Sequence, residues 1–200
     1  QPECIKKGEP HDPSCKGIHW GTTAHPAIVS EETLIRFRGL GCAHLDYGLE
    51  SFSDEVLESI GKGSTARKNA DAITMTMKVG IRPIPNQIIG FPKDSFDSIR
   101  ANIDAWNKLG IRVYPFFATP YPGSEWYFEF KDKILSQYDG NLEAFLLDLG
   151  DATKITAVIS ENYNAVELLG LRELMVDRDL KRINDYERIW RSNQNSVDLK

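Results

Sequence analysis

Short apolar runs alternate with longer amphipathic stretches over the first 125 residues of the chain. Residues 43–47 form one such run, brief and mostly apolar, as expected for a strand that is covered on both faces. Before it, Leu34, Phe37 and Leu40 recur at spacings of three, which is typical of the buried side of a helix. The pattern therefore predicts strands and helices in alternation.

Glycines mark the places where this alternation repeats. Gly41, Gly80 and Gly110 each follow a helical stretch, and an apolar run and then a polar turn come after each of them. Glycine readily takes the left-handed backbone conformation that ends a helix. Because repeated strand–helix alternation indicates parallel strands joined by right-handed crossovers, the sequence predicts an α/β fold.

The predicted elements cover most of the chain. Ser30 and Ser53 have the hydroxyl expected of a helix N-cap, and acidic residues follow each of them in the first helical turn. Strands are predicted at residues 18–24, 43–47, 86–89 and 112–117, and helices from Ser30, at 53–60, from 64–65, and at 95–109, 125–138, 141–149 and 165–191. Three segments are less regular. Residues 154–159 fit a short strand or a helix. Residues 1–16 are predicted to be the end of a helix plus a loop, and residues 193–200 a polar tail.

Polar turns at the carboxyl ends of the predicted strands are the candidate functional region. Glu50 and Ser51 follow the second strand, residues 90–95 follow the third, and residues 119–124 follow the fourth. In barrels and open α/β sheets, chemistry takes place where the parallel strands end. We therefore expect these turns to lie on one rim of the sheet.

Composition is ordinary for a globular protein and narrows the choice of partners. Hydrophobic residues make up 41% and charged residues 26% of the 200-residue chain, enough for one main domain with a substantial core. The net charge of −5 argues against a nucleic acid as the main partner, and no apolar run approaches the roughly 20 residues of a membrane span. Cys4, Cys15 and Cys42 are an odd number without a C-x-x-C spacing, which favours a reducing, cytoplasmic compartment over a disulfide framework.

Three segments of the chain resemble a known enzyme family. They read YGLESFS at residues 47–53, IIGFPKDS at residues 88–95 and TPYPGS at residues 119–124. In this order and spacing they resemble motifs of the radical S-adenosylmethionine (SAM) enzymes. The likeness is greatest to the large branch that often carries an upstream cobalamin-binding domain, and it covers residues 20–127.

The resemblance implies a fold as well as a class. Radical SAM enzymes have a partial (β/α)6 TIM-like barrel, of which this chain would hold about the last four units, followed by a helical C-terminal extension. On this basis we expect a barrel part at residues 1–125 and a helical part at residues 126–200.

The cofactors implied by the resemblance are SAM and a 4Fe-4S cluster, with cobalamin in an upstream domain where the branch has one. In the family, three cysteines in a C-x3-C-x2-C motif hold the cluster. One electron from the cluster cleaves SAM to a 5′-deoxyadenosyl radical, which abstracts hydrogen from the substrate. This sequence contains no such motif. We therefore expect the cluster ligands upstream of Gln1, and the chain to be a fragment of the enzyme.

The resemblance assigns the first turn to SAM, and the position of a histidine beyond the first strand suggests substrate contact. Glu50 and Ser51 fall where the family's fourth strand meets the ribose and amino-acid part of SAM. A carboxylate can accept hydrogen bonds from a ribose hydroxyl or an ammonium group, and a hydroxyl can donate or accept. His25, just beyond the first predicted strand, is the candidate for substrate contact from the rim.

Four further candidates for cofactor binding belong to the later strands: Ile88, Gly90, Thr119 and Pro120. The isoleucine falls where an apolar residue packs on adenine, and the glycine lets the backbone approach the nucleoside closely. The threonine and proline fall where backbone groups of the sixth strand edge the adenine. Asn86 and Lys93 depart from the family, which often has a glycine and an acid at these places, and Asp94 stands one place further on.

Each of these residues also has a purely structural interpretation. Glu50 fits a solvated carboxylate at a helix entry, and the turns at residues 90–95 and 119–124 fit plain strand-to-helix connections. Cys42 fits a small buried hydrophobic residue, and His44 fits a packed, hydrogen-bonded histidine.

The function predicted on this basis is radical chemistry, with methylation, cyclisation or another modification as its outcome. The substrate would be a small molecule, including a lipid or natural product, and an electron-donor protein would be a partner. No catalytic residue and no metal ligand can be named from the sequence. Two alternatives remain: a non-catalytic binding or scaffold remnant of the same fold, because fold does not imply function, and an unrelated α/β-barrel enzyme.

A first prediction concerns the 200-residue chain on its own. Its cysteines are too far apart in sequence to replace the cluster-binding motif, because iron–sulfur clusters need thiolates held close together. With the first two barrel units missing, the strand at residues 18–24 would be an open edge that favours self-association. After anaerobic reconstitution with iron and sulfide, the chain is therefore expected to be colourless, to self-associate, and to form no 5′-deoxyadenosine. A brown monomer that cleaves SAM would show that the strand assignment is wrong.

Overall fold

The computed structural model describes residues 18–197. The helix end and loop predicted at residues 1–16, with Cys4 and Cys15, lie outside this range. The chain forms two compact units. The first unit is the chain up to Gln87 together with Lys108–Ile111, and the second unit is Ile88–Asn107 together with the chain from Arg112 onward.

Parallel strands and helices alternate in the first unit. Its elements are β1 (Trp20–Ala24), α1 (Glu31–Gly39), β2 (Cys42–Glu50), α2 (Asp54–Ser59), α3 (Ala66–Lys78) and β3 (Arg82–Ile89), of which the last two residues belong to the second unit. Strand β2 is the central strand, and it pairs in parallel with both β1 and β3. This arrangement confirms the predicted parallel strand–helix pattern.

Strand β2 has two different faces. Leu45, Tyr47 and Leu49 are completely buried, and the Tyr47 hydroxyl is 2.7 Å from Thr76 Oγ1 of α3. The alternate positions, from His44 to Glu50, are only partly buried and mostly polar. Because neighbouring strand residues point to opposite faces, β2 has one apolar, buried face toward a helix and one polar, partly buried face. The predicted cover on both faces is therefore complete on one face and partial on the other.

The helices of the first unit begin where the sequence predicted. The hydroxyls of Ser30, Ser53 and Thr65 accept hydrogen bonds from backbone N–H groups in the first turns of α1, α2 and α3. Each cap satisfies a donor that would otherwise have no partner within the helix. The predicted N-caps Ser30 and Ser53 are therefore confirmed.

The second unit begins with the end of β3 and is mainly helical. Its further elements are α4 (Phe96–Leu109), of which the last two residues belong to the first unit, β4 (Phe116–Phe117), α5 (Glu125–Glu129), α6 (Lys131–Ser136), α7 (Leu142–Asp148), α8 (Ala165–Asp177) and α9 (Leu180–Val197). Ile88 and Ile89 of β3 pair in parallel with Phe116 and Phe117 of β4. The buried core includes Ile99 and Ile103 of α4 and Leu171 and Met175 of α8.

The strands occur in the sheet in chain order, β1–β2–β3–β4. The α/β class, with four strand–helix units and a helical part after them, is therefore confirmed. The division of the chain into domains at residue 125 stays a prediction. In the described residues, no helix is long and apolar enough to cross a membrane.

Two strands differ from their predicted lengths. The strand predicted at residues 112–117 is reduced to Phe116–Phe117, because Pro115 has no N–H to donate to a ladder and Phe117 N donates to Ala152 O, outside the sheet. Strand β3 is longer than predicted and includes Pro83 and Pro85. Both prolines lie in the ladder with β2, opposite Leu45 and Tyr47, whereas β4 pairs only with Ile88 and Ile89 at the end of β3.

The helical part also differs in detail. The helix predicted at residues 165–191 is broken at Arg178, whose backbone has a left-handed φ of 57°, and the helix predicted at 125–138 is divided at Phe130. Residues 154–159 form neither a strand nor a helix. The predicted tail from residue 193 is helical as far as Val197. A single left-handed residue does not alter the spacing of apolar residues along an amphipathic stretch, so this spacing could not predict the break at Arg178.

Candidate functional site

The turn after β2 has an unusual backbone at its carboxylate. Glu50 has a φ of 60°, in the left-handed region that residues with a side chain seldom adopt. Just after it, Ser51 N donates to Leu49 O at 2.7 Å. A non-glycine residue in this conformation costs on the order of 1 kcal/mol, and such strain is concentrated at functional sites.

Asn69 of α3 holds this turn in place. Its side chain is completely buried. The Nδ2 group donates to Leu49 O and to Ser51 O, both at 2.9 Å, and Oδ1 accepts from Ser64 Oγ at 2.8 Å. The carbonyls on both sides of Glu50 are therefore fixed by one side chain.

The Glu50 carboxylate forms an ion pair with Lys62. Lys62 Nζ donates to Glu50 Oε1 at 2.8 Å, and the two side chains are 18% and 17% exposed. The pair lies over Gly48, where an added Cβ would be 2.6 Å from Glu50 Oε1 and 3.0 Å from Lys62 Nζ. The glycine therefore makes room for the pair on the polar face of β2.

His25 is bound to the same lysine through the backbone. Its Nδ1 accepts from Ala27 N at 3.2 Å, so Nε2 carries the proton and donates to Lys62 O at 3.0 Å. Both ring nitrogens thus have protein partners in this structure. His25, Lys62 and Glu50 form one polar cluster in the first unit, and the role of His25 in substrate contact stays a prediction.

Ser51 lies in the same turn but is completely buried. Its Oγ accepts from Ser53 N at 3.1 Å, next to the N-cap of α2. In this conformation Ser51 shapes the turn that presents Glu50. Its direct contact with SAM stays a prediction.

In the second unit, the turn after β3 is built around a buried carboxylate. Asp94 Oδ2 accepts from Gly90 N at 2.8 Å and from Phe91 N at 3.1 Å, and Oδ1 accepts from Ser98 Oγ at 2.8 Å. Burial raises the pKa of Asp94 to about 6, although the three donors act in the opposite direction. Gly90 has a φ of 97°, and an added Cβ would be 3.3 Å from Leu168 Cδ1.

The other predicted residues of the second unit differ in exposure. Ile88 is partly exposed, whereas its neighbour Ile89 is completely buried, so the two side chains lie on opposite faces of β3. Thr119 and Pro120 are buried, and the Thr119 hydroxyl donates to Phe117 O at 3.2 Å. Contact of these four residues with SAM stays a prediction.

Sequence reasoning assigned no role to three residues that shape these turns: Lys62, Asn69 and Asp94. Lys62 had a visible signal, since it stands between Gly61 and Gly63 in a break between helices. A buried asparagine in an amphipathic helix carries no such signal, because its partners are 18 and 20 residues away in the chain.

The described residues do not supply a cluster site. Cys42 is the one free cysteine among them, and it is buried. Burial raises the pKa of its thiol, which disfavours the thiolate that a metal requires. The described part of the chain contains no group of three or more histidine, cysteine, aspartate or glutamate side chains suited to a metal. SAM, by contrast, fits the Glu50 turn, where a carboxylate in the space over Gly48 can accept from a hydroxyl or an ammonium group.

Comparison with known proteins defines the class. A sequence model of the radical SAM superfamily matches residues 3–113, more than half of the chain. The chain therefore belongs to the radical SAM superfamily, as its motifs predicted.

Two relatives are methyltransferases by name. An uncharacterised methyltransferase of Pyrococcus horikoshii is 32% identical over 120 residues, which cover 59% of this chain and 26% of that protein. The bacteriochlorophyllide d C-12(1)-methyltransferase of Chlorobaculum tepidum is 27% identical over 124 residues, with the same two coverages of 59% and 26%. The chain thus spans about a quarter of the length of these relatives.

A solved structure has a partial likeness to this chain. The radical SAM methyltransferase TsrM from Kitasatospora setae, with cobalamin and a 4Fe-4S cluster bound, matches with a TM-score of 0.44 and 20% sequence identity. The match covers 50% of this chain and 20% of that one.

Proposed function

We propose that this chain is the SAM-orienting part of a radical SAM enzyme that modifies a small-molecule, lipid or natural-product substrate, with methylation as the favoured outcome. The membership of the superfamily and the two methyltransferase relatives support this proposal. The observation that carries it is the strained Glu50 turn, in which three elements of the first unit hold one partly exposed carboxylate.

In this proposal Glu50 binds the ribose or the ammonium group of SAM. Within the described part of the chain, only Oε1 of Glu50 has a hydrogen-bond donor, which is Lys62. The second oxygen can accept from the cofactor. Lys62 orients the carboxylate through its ion pair, and Asn69 fixes the backbone from which the Glu50 side chain projects. When bound, SAM supplies the radical that starts the reaction.

We further propose that Ile88, Gly90, Thr119 and Pro120 contact the adenosine part of SAM, as the family resemblance implies. Gly90 has no side chain to obstruct a nucleoside, and Asp94 holds the two backbone N–H groups at this turn. Ile88 offers a partly exposed apolar side chain, and backbone groups of Thr119 and Pro120 would edge the adenine. We further propose cluster ligands outside the described residues, an electron-donor protein, cobalamin in another domain and a cytoplasmic location.

The proposal predicts a large effect of Glu50 on SAM affinity. In the full-length, cluster-loaded protein, Glu50→Ala is expected to weaken SAM binding by ~1.5–3 kcal/mol, the range for losing a hydrogen bond to a charged group. Glu58→Ala, at an exposed position of α2, is the matched control and is expected to leave the affinity unchanged. Anaerobic calorimetric titration with SAM measures both.

A glycine variant separates binding from stability. Glu50→Gly relieves the left-handed backbone strain, so the protein is expected to remain as stable as the parent while it loses SAM affinity. If Glu50→Ala and Glu50→Gly both bind SAM as tightly as the parent, Glu50 is only a surface carboxylate.

A further inference from the structure

A cleft of about 570 Å³ lies in the second unit, between the end of α6, the segment at residues 153–158, and α8. Its lining comes from residues 137–172 and therefore shares no residue with the proposed SAM site. The volume is within the range of small-molecule sites in proteins.

Arg172 of α8 is a fixed cation in the wall of this cleft. Its guanidinium carbon is 4.8 Å from the ring centroid of Tyr114 and 4.5 Å from that of Phe117, and Nη1 donates to Thr153 O at 2.8 Å. The side chain is only 11% exposed. A guanidinium held flat against aromatic rings is preorganised to bind a planar acceptor with its edge.

The wall of the cleft also contains unused hydrogen-bonding capacity. Arg172 Nε and Thr156 Oγ1 are buried and have no hydrogen-bond partner within the described part of the chain, although Nε is 3.5 Å from Glu173 Oε1. Buried polar atoms without partners are uncommon and call for an explanation. Rotation about one bond lets the Thr156 hydroxyl exchange places with its methyl group.

The remaining lining has a cationic side and an apolar side. Lys154 adds a second, exposed cation, whose Nζ is 3.1 Å from Asp148 Oδ1. The residues that line the cleft, all within the described range, include no aspartate or glutamate. Ile155, Val158 and Leu169 form the apolar side. Such a lining is suited to a ligand that is anionic at one end and apolar at the other.

We propose that this cleft binds an organic carboxylate with an apolar body. The carboxylate accepts from the Arg172 guanidinium and the Thr156 hydroxyl, and the body packs against Val158 and Leu169. A planar group with two oxygens matches the donor geometry of arginine better than a neutral amide does. This site shares no residue with the proposed SAM site, so ligand binding to it can be tested without SAM.

The test uses the 15N-labelled full-length protein and three probes. Hexanoate is expected to bind saturably, with a Kd on the order of 1 mM as for a ligand of this size, and to shift the backbone amide signals of Val158 and Leu169. Hexanamide, which lacks the charge, and inorganic phosphate, which lacks the apolar body, are expected to bind at least about tenfold more weakly. Equal binding of either control probe would overturn the proposal.

Two variants and a control locate the site. Arg172→Gln is expected to weaken hexanoate binding by about tenfold, whereas Arg188→Gln, an equal charge change at an exposed position of α9, leaves it unchanged. Thr156→Val removes only a hydroxyl without a partner, so the melting temperature should stay the same or rise while the Kd increases by about threefold. Unchanged hexanoate affinity in Thr156→Val and Arg172→Gln would refute the assignment.

Discussion

The Asn69→Ala variant is expected to lose about 3 kcal/mol of its free energy of unfolding, measured by urea denaturation followed by circular dichroism. The substitution leaves Ser51 O and Ser64 Oγ without their Asn69 partner and removes one of the two donors to Leu49 O, which keeps Ser51 N. A buried acceptor or donor that loses its partner costs on the order of 1 kcal/mol or more, because water does not replace it.

Asn107→Ala is the matched control for this measurement. Asn107 is also an asparagine in a helix, but its Nδ2 makes an exposed hydrogen bond to Arg178 O. Its loss is expected to cost less than about 1 kcal/mol. If both variants lose the same free energy, Asn69 does not hold the Glu50 turn. In the full-length protein, Asn69→Ala should also weaken SAM binding, since the backbone at Glu50 would no longer be fixed.

The second large effect is expected at Asp94. Asp94→Ala leaves Gly90 N, Phe91 N and the Ser98 hydroxyl without their buried acceptor, and it should lower the free energy of unfolding at pH 7 by about 3 kcal/mol. Asp97→Ala, three residues further on in the first turn of α4, serves as the control. The Asp97 side chain is 90% exposed and pairs with Arg100, so its loss is expected to cost under about 1 kcal/mol.

The effect of Asp94 should also depend on pH. The carboxyl has a pKa of about 6 in the folded protein, raised by burial from 3.8, so between these values the folded state binds a proton that the unfolded state lacks. Lowering the pH from 7 to 4 therefore favours folding, by up to about 3 kcal/mol from this group. The stability difference between the parent and Asp94→Ala should accordingly grow as the pH falls. A difference that shrinks or stays constant in urea titrations at pH 7.5, 6.5, 5.5 and 4.5 contradicts the raised pKa.

Local chemistry explains what the sequence predicted well. The N-caps at Ser30 and Ser53 depend on one hydroxyl and the backbone within three residues of it, and such short-range signals survive in any fold. Gly41 was likewise recognisable, because a glycine that follows a helical stretch favours the left-handed backbone that ends a helix. The order of the strands followed from the alternation itself.

Long-range partners explain what the sequence did not predict. In the sequence, nothing distinguishes Asn69 from other polar helix residues. Its role depends on the fold, in which α3 places its side chain within hydrogen-bond distance of the end of β2. The shortness of β4 depends on Ala152, which takes a backbone hydrogen bond from Phe117 across 35 residues of chain. The Glu50 position was predicted from motif resemblance, but its ion pair with Lys62 and its strained backbone are visible only in the folded chain.

The left-handed backbone at Glu50 has a consequence for how this position varies among related chains. Glycine and asparagine adopt that conformation with less strain than glutamate, so stability alone favours replacing Glu50. A relative that retains the acid at this position does so in spite of the backbone strain. Selection for binding a cation or a hydroxyl group explains that retention. A relative that has lost the catalytic activity and keeps only the fold can have glycine at this position. The residue at position 50 is therefore expected to distinguish catalytically active relatives from relatives that keep only the fold.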